Sequence, residues 1–239
     1  MHLLEVKTYR DCKRFVSFPV DLYKNQKQYI RPLDKDIADI FDPAVNKNFE
    51  RGSCVRWLLL NDNKIIGRIA AFVLKKTSLK GGAENFGGVG FFECINDQNA
   101  ANALFDISKN WLVDQGVEFM DGPINFGARD KWWGLLTKGF DLEPNYQCNY
   151  NFPYYRELFE NYGFQTYFEH YTFLKTIRED VNPRLERKAT IVNSNPDYSF
   201  EHFKMEKFEE QTDNIIDMYN KAWVNHEGVS AISKEQGHL

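Results

Sequence analysis

The chain has 239 residues, 43% of them hydrophobic and 15% aromatic, and a formal net charge of −4. That is ample for a packed core, in one large domain or in one domain and part of another. No basic run points to nucleic acid, and no apolar stretch approaches the roughly 20 residues that cross a membrane.

The N-terminus, Met-His-Leu-Leu-Glu-Val-Lys, has no apolar signal-peptide centre, which predicts a cytoplasmic protein. Cys12, Cys54, Cys94 and Cys148 are scattered without a CxxC pair, the pattern of reduced thiols. His2, His170, His202, His226 and His238 show no ligand spacing, so no metal site is indicated.

In chain order, residues 3–8 alternate as a first strand, and residues 10–25 carry a helical pattern interrupted by Pro19. Residues 29–43 are mixed, between Pro32 and Pro43, and 45–49 suit one helical turn. Residues 54–60 and 64–77 read as a hairpin across Asn61-Asp62-Asn63, with a bulge expected at Gly67. Lys80-Gly-Gly-Ala-Glu-Asn reads as an exposed loop. Residues 89–95 form an apolar run broken only by Gly90 and Glu93, which suits a strand buried on both faces. Asn96 or Asp97 can cap the helix that follows, where Ala100, Leu104, Ile107 and Trp111 recur at helical spacing and Gly116 stops the pattern. A helix start behind a strand suits either a phosphate or a simple cap.

A short strand is expected at 117–121, then an aromatic, glycine-rich segment to Asn151 with little periodicity. A helix over 154–162 ends at Gly163, and 164–177 alternates as a long strand. Beyond Arg178 the composition shifts. A charged helix near Pro183, a turn at Asn193-Ser-Asn-Pro-Asp, a strand over 200–208 and a helix over 212–223 follow.

This order, with Glu157-Leu-Phe-Glu-Asn-Tyr-Gly-Phe before a strand, resembles the GCN5-related N-acetyltransferase (GNAT) superfamily over roughly residues 3–177. Gly90-Phe-Phe-Glu-Cys, Asp97-Gln, Trp111-Leu, Gly122-Pro-Ile-Asn-Phe, Gly139-Phe-Asp, Asn151-Phe-Pro-Tyr-Tyr and Asn220-Lys-Ala-Trp are similar to pieces of an uncharacterised bacterial family of tandem acyltransferase-like proteins. The resemblance implies an α/β (α+β) fold, a mixed central sheet with helices on both faces. It implies that Phe92, Cys94 and Ile95 pair with the pantetheine arm of acetyl-CoA or a longer acyl-CoA. Asn96, Asp97, Gln98, Asn99, Ala100 and Ala101 would then surround the pyrophosphate, with Asn151 beside the cofactor. The turn lacks the superfamily's glycines and arginine, and Phe159 stands where its general-acid tyrosine commonly falls.

Several residues have two readings. Glu93 is a general base raised by burial, or a carboxylate paired with a neighbouring Arg or Lys. Tyr154 and Tyr155 either supply the acid missing at Phe159, with Tyr155 the catalytic candidate, or pack as aromatics. Asn125, Arg129 and Asp130 bind substrate or belong to a surface loop. Trp132 and Trp133 wall an apolar pocket or pin their loop, and His226-Glu227 belongs to a second site or to a solvated turn.

The expectation is therefore a GNAT-like domain at 1–177, a linker at 178–199 and the beginning of a second such domain at 200–239. Related tandem proteins are linked with N-acylation of long-chain bases, so the resemblance implies transfer from an acyl-CoA or carrier thioester to a small-molecule or lipid-like amine. The alternative is a non-catalytic module that binds or shapes a partner domain. A second GNAT-like domain or a homodimer partner fits either.

Overall fold

The computed structural model describes residues 1–75, 85–127, 131–176, 181–223 and 231–238, and the chain divides into two compact units, Met1–Tyr171 and Thr172–Leu239. The end of the expected hairpin strand at 76–77, most of the Lys80 loop, Arg129, Asp130, Ile177 and His226-Glu227 lie outside the described residues.

The first unit is built on one mixed sheet, in the order β1 (His2–Glu5), β2 (Gly52–Asn61), β3 (Lys64–Lys75), β4 (Asn85–Cys94) and β5 (Met120–Asp121). All pairs are antiparallel except β4 with β5. Asp62 and Asn63 both take positive φ (47° and 66°), so the β2–β3 turn twists with its strands and the hairpin closes as expected. The register slips between Leu59 and Leu60, opposite Gly67 and Ile65, which leaves the extra residue beside Gly67.

Helices cover both faces. α3 (Gln98–Asp114) and α4 (Tyr155–Tyr162) pack on one, where Phe92 stacks on Phe105 at 4.7 Å and meets Phe159 edge-on at 5.1 Å. α1 (Tyr9–Leu22) and α2 (Asp34–Ile40) lie on the other, over Phe15, Ile37, Phe41, Phe72 and Phe91. This is the doubly covered mixed sheet expected from the GNAT resemblance. Phe159 is a core ring here, held among Phe92, Phe105 and Phe164.

Of the two outcomes expected at Pro19, a kink or two short helices, the second does not occur. α1 runs through it to Leu22, because Pro19 lies in the last turn, where the only ladder bond it removes is the one to the carbonyl of Phe15. The strand expected at 117–121 shortens to two residues: Gly116 turns at φ +74° and the Val117 amide still bonds back to Leu112. β4 reaches back to Asn85 and stops at Cys94, one residue before the expected end.

The larger corrections concern the expected strands beyond 163. Among the described residues, 164–176 form no strand and Phe173 is 89% exposed. Alternation supplies a face, but a strand also needs a hydrogen-bonding edge to pair with. In the second unit α5 (Pro183–Ser194) forms as expected, with Asn182 as cap. Residues 200–204 carry no strand pairing, and a 3₁₀ turn, Met205–Lys207, leads directly into α6 (Phe208–Trp223). A short α7 (Lys234–Gly237) sets Gly237 against Ile216.

Candidate functional site

Arg68 interrupts the apolar run of β3 and Glu93 that of β4, and the β3–β4 register sets them directly opposite each other. Both are buried, and the Arg68 guanidinium lies 3.4 Å from the Glu93 carboxylate. Arg68 is also steered from α1. The Phe15 carbonyl, left without its helical partner because Pro19 has no N–H, accepts from Arg68 Nη1 at 2.6 Å.

Two tyrosines complete the cluster. The Tyr155 hydroxyl donates to Glu93 Oε2 at 2.8 Å and accepts from the Cys94 amide at 2.9 Å. The Tyr23 hydroxyl, from the end of α1, donates to the same carboxylate oxygen. Burial raises the pKa of Glu93, against the charge of Arg68 and the two tyrosine hydrogen bonds, which lower it. Burial and the Glu93 charge hold both tyrosines well above the ordinary phenol range, so they remain donors. Burial likewise pushes Tyr29, stacked on Tyr23 at 4.7 Å, up to about 12. The ion-pair reading of Glu93 is therefore present in the structure, and burial acts on the same carboxylate in the direction that a base would need.

Glu93, Arg68 and Tyr155 of this cluster line a cavity of about 60 Å³. At about 10–15 Å³ per water by this measure, it admits a few waters or the reacting end of a slim molecule. Ile30, Arg31 and Asp34 line it and are exposed, whereas Glu93, Arg68 and Tyr155 are buried. Val16, Pro19 and Leu135 give it apolar walls. At Phe91 the strand bulges: the register steps two residues on β3 and three on β4, and Phe91 takes φ +49°. Trp132, also at positive φ (44°), packs its ring 5.9 Å from that of Phe91. Backbone held in this region by non-glycine residues costs about 1–3 kcal/mol per residue and tends to mark functional sites.

The residues expected around CoA are placed differently. The Asp97 carboxylate accepts from the amides of Asn99 (2.8 Å) and Ala100 (3.3 Å), the donors a pyrophosphate would need. Ala100 and Ala101 are fully buried, and Gln98 ties α3 to the Leu158 carbonyl of α4. At the end of β4, the Cys94 amide and carbonyl already bond Tyr155 and Tyr154, the latter at 2.8 Å. The turn from Asn96 to Ala101 therefore does not fit a pyrophosphate in this conformation. Phe92 is core, Ile95 is partly buried beside it, and Asn96 and Asn99 are exposed. Asn151 lines the cavity, but its side chain braces the aromatic loop through both backbone groups of Leu136 (2.8 and 3.1 Å).

Of the residues expected at a substrate mouth, Trp132 lines the cavity, Trp133 packs at the edge of the α1–α2 core, and Asn125 is buried outside the lining. Arg68, Tyr23, Tyr29 and Tyr150 were not anticipated. The one available signal was Arg68, a charge inside the apolar run Ile65-Ile-Gly-Arg-Ile-Ala-Ala, matching Glu93 in its own run.

No family model matches the chain. It is 21% identical over 236 residues to a protein of Caulobacter vibrioides described as bacterial ceramide synthase, matching 99% of this chain and 61% of that one. It is 28% identical over 154 residues to protein YghO of Escherichia coli, matching 64% of this chain and 39% of that one. The chain thus spans less than two thirds of both relatives. Among solved structures, one described as a predicted acetyltransferase with acetyl-CoA, from Clostridium acetobutylicum, superposes with a TM-score of 0.46 at 13% identity, over 73% of this chain and 95% of that one.

Proposed function

We propose that the Glu93 cavity is the site of an N-acyltransferase that moves an acyl group from a CoA-type or carrier thioester to an amine, with a lipid-like amine as acceptor. The observation that carries this reading is the buried carboxylate, raised by burial and held by two tyrosine hydroxyls, in the lining of a cavity that Val16, Pro19 and Leu135 wall with apolar groups. The Caulobacter relative's description supports both the acyl transfer and the apolar acceptor.

Glu93 takes the proton of the attacking amine as its nitrogen bonds to the thioester carbonyl carbon. As the carbon–sulfur bond breaks, Tyr155 gives its proton to the departing thiolate and regains one from Glu93. Arg68 keeps the carboxylate ionised between turnovers. The capped turn at Asp97 leaves the nucleotide end of a CoA donor to contacts other than the Asn99 and Ala100 amides.

The test is to incubate the chain with acetyl-CoA or palmitoyl-CoA and either dodecylamine or spermidine, then weigh the products. Amide formation with palmitoyl-CoA and dodecylamine, lost in Glu93→Gln, is the expected result. The occupied amides at Cys94, Asn99 and Ala100 favour a second reading, a non-catalytic binding module. Absence of amide with every pair would leave that reading standing.

A further inference from the structure

We propose that α5 is an interfacial element, a helix that lies on an anionic lipid surface. The inference does not depend on the acyl-transfer reading. Asn182 caps α5 and Pro183 occupies its first turn, so local sequence chemistry specifies this helix. α1, α2, α3, α4 and α6 each bury at least one side chain, whereas the 12 residues of α5 bury none among the described residues. A helix this short is marginal in water unless one face is covered.

The order of side chains around α5 selects the kind of surface that covers it. At about 100° per residue, Leu185, Val192, Lys188, Arg184, Ile191 and Arg187 follow one another around roughly 160° of the helix. Asn193, Glu186, Thr190 and Ser194 take the opposite arc, where the Thr190 and Ser194 hydroxyls fold back onto carbonyls of their own helix. The cations and the large apolar side chains of α5 therefore share one side. Leu185, Ile191 and Val192 are 60%, 60% and 50% exposed, and Arg184, Arg187 and Lys188 are exposed with them. Just beyond the helix, Tyr198 and Phe200 add exposed aromatic surface.

A protein partner would cover such a face poorly. Lys is depleted from the centres of protein interfaces, and Lys188 lies between Leu185 and Ile191 in the middle of this arc. A bilayer surface has a place for both kinds of group. Apolar side chains enter the boundary between headgroups and acyl chains, and the stems of the Lys and Arg residues lie along them with their charges at the lipid phosphates. The charge is also local. α5 holds Arg184, Arg187 and Lys188 against the single carboxylate of Glu186, on a chain whose net charge is −4. The chain as a whole is repelled by an anionic surface, so attraction has to be concentrated in an element of this kind.

Sedimentation of the full chain with lipid vesicles tests the assignment. Binding is expected to vesicles of phosphatidylglycerol and phosphatidylcholine in equal parts, weakening as salt is added, and to be far weaker with phosphatidylcholine alone. Each cation near such a surface strengthens partitioning roughly fivefold, so Arg187→Gln with Lys188→Gln should weaken it roughly 25-fold. Gln is as good a helix former, so α5 is kept. Leu185→Ser with Val192→Ser should weaken binding as well, which attraction by charge alone would not show. All four side chains are exposed, so both variants should keep the wild-type Tm. Absence of binding to the anionic vesicles overturns the proposal, and so does binding that survives both pairs of substitutions. If Leu185→Ser with Val192→Ser instead disperses a dimer seen in sedimentation velocity and leaves vesicle binding unchanged, the face belongs to a second copy and the proposal falls.

Discussion

At the scale of single residues, the proposed mechanism turns on how a carboxylate can be buried and still serve as a base. Burial pushes the Glu93 pKa up, whereas Arg68 and two phenols draw it back toward the ionised form. Replacing Glu93 with Gln keeps shape and an acceptor but removes the proton site, so kcat should drop by roughly 10²–10⁴-fold with donor affinity nearly unchanged. Equal turnover in steady-state assays would exclude Glu93. The direction of the pH effect follows from the same balance. In the proposed mechanism the ionised form is the active one, so the rate should be lost as pH falls through the native pKa, which burial raises above the ordinary carboxylate value. The Tyr155 hydrogen bond favours the ionised form, so Tyr155→Phe should raise the pKa further and move the acid limb of the kcat profile to higher pH. A limb that stays in place would show that another group titrates. Glu93 was legible in the sequence because a charge in an apolar run is conspicuous. Which Arg or Lys would pair with it, and that Tyr23 would reach it, were not, because Arg68 and Tyr23 are 25 and 70 residues away and meet it only through strand register and the length of α1.

Elements explain why these residues converge. Pro19 frees the Phe15 carbonyl and Arg68 claims it, so a helix defect becomes a support for the ion pair. The β4 bulge turns Phe91 and Glu93 toward α1 while Phe92 stays in the opposite core. Beyond the two residues of β5, the chain still follows β4: the Ile124 amide bonds the Val89 carbonyl at 2.7 Å. Gly90 permits that approach, since an added Cβ would stand 1.8 Å from the Ile124 carbonyl oxygen. Gly90→Ala should therefore destabilise by ~3 kcal/mol, the upper end of overpacking, measured by denaturant unfolding. A loss near zero would mean that the contact yields freely. The hairpin, α3 with its Asp97 cap and α4 with its Gly163 stop were all readable, because each is written in local turn and capping chemistry. The strands expected at 164–177 and 200–208 were misread for the opposite reason. Pattern there is local, whereas a strand exists only through a neighbour.

At the scale of the molecule, the two units differ in what they bury. Both core clusters, and every residue of the Glu93 site, lie within Met1–Tyr171. In the second unit only Thr212 and Ile216 are buried among the described residues, while Ile215, Met218 and Trp223 on α6 are at least half exposed. Stability scales with apolar area removed from water, so the sheet unit should carry nearly all of it. A fragment of residues 1–171 is expected to unfold in one cooperative transition and to keep the midpoint of the corresponding transition in the full chain. Residues 172–239 alone should show weak helicity, since short helices without a buried face are marginal in water. Circular dichroism on the two fragments and the full chain distinguishes the cases. If 1–171 instead melts well below the full chain, the second unit contributes to the stability of the sheet, and the exposed face of α6 is not a measure of its role.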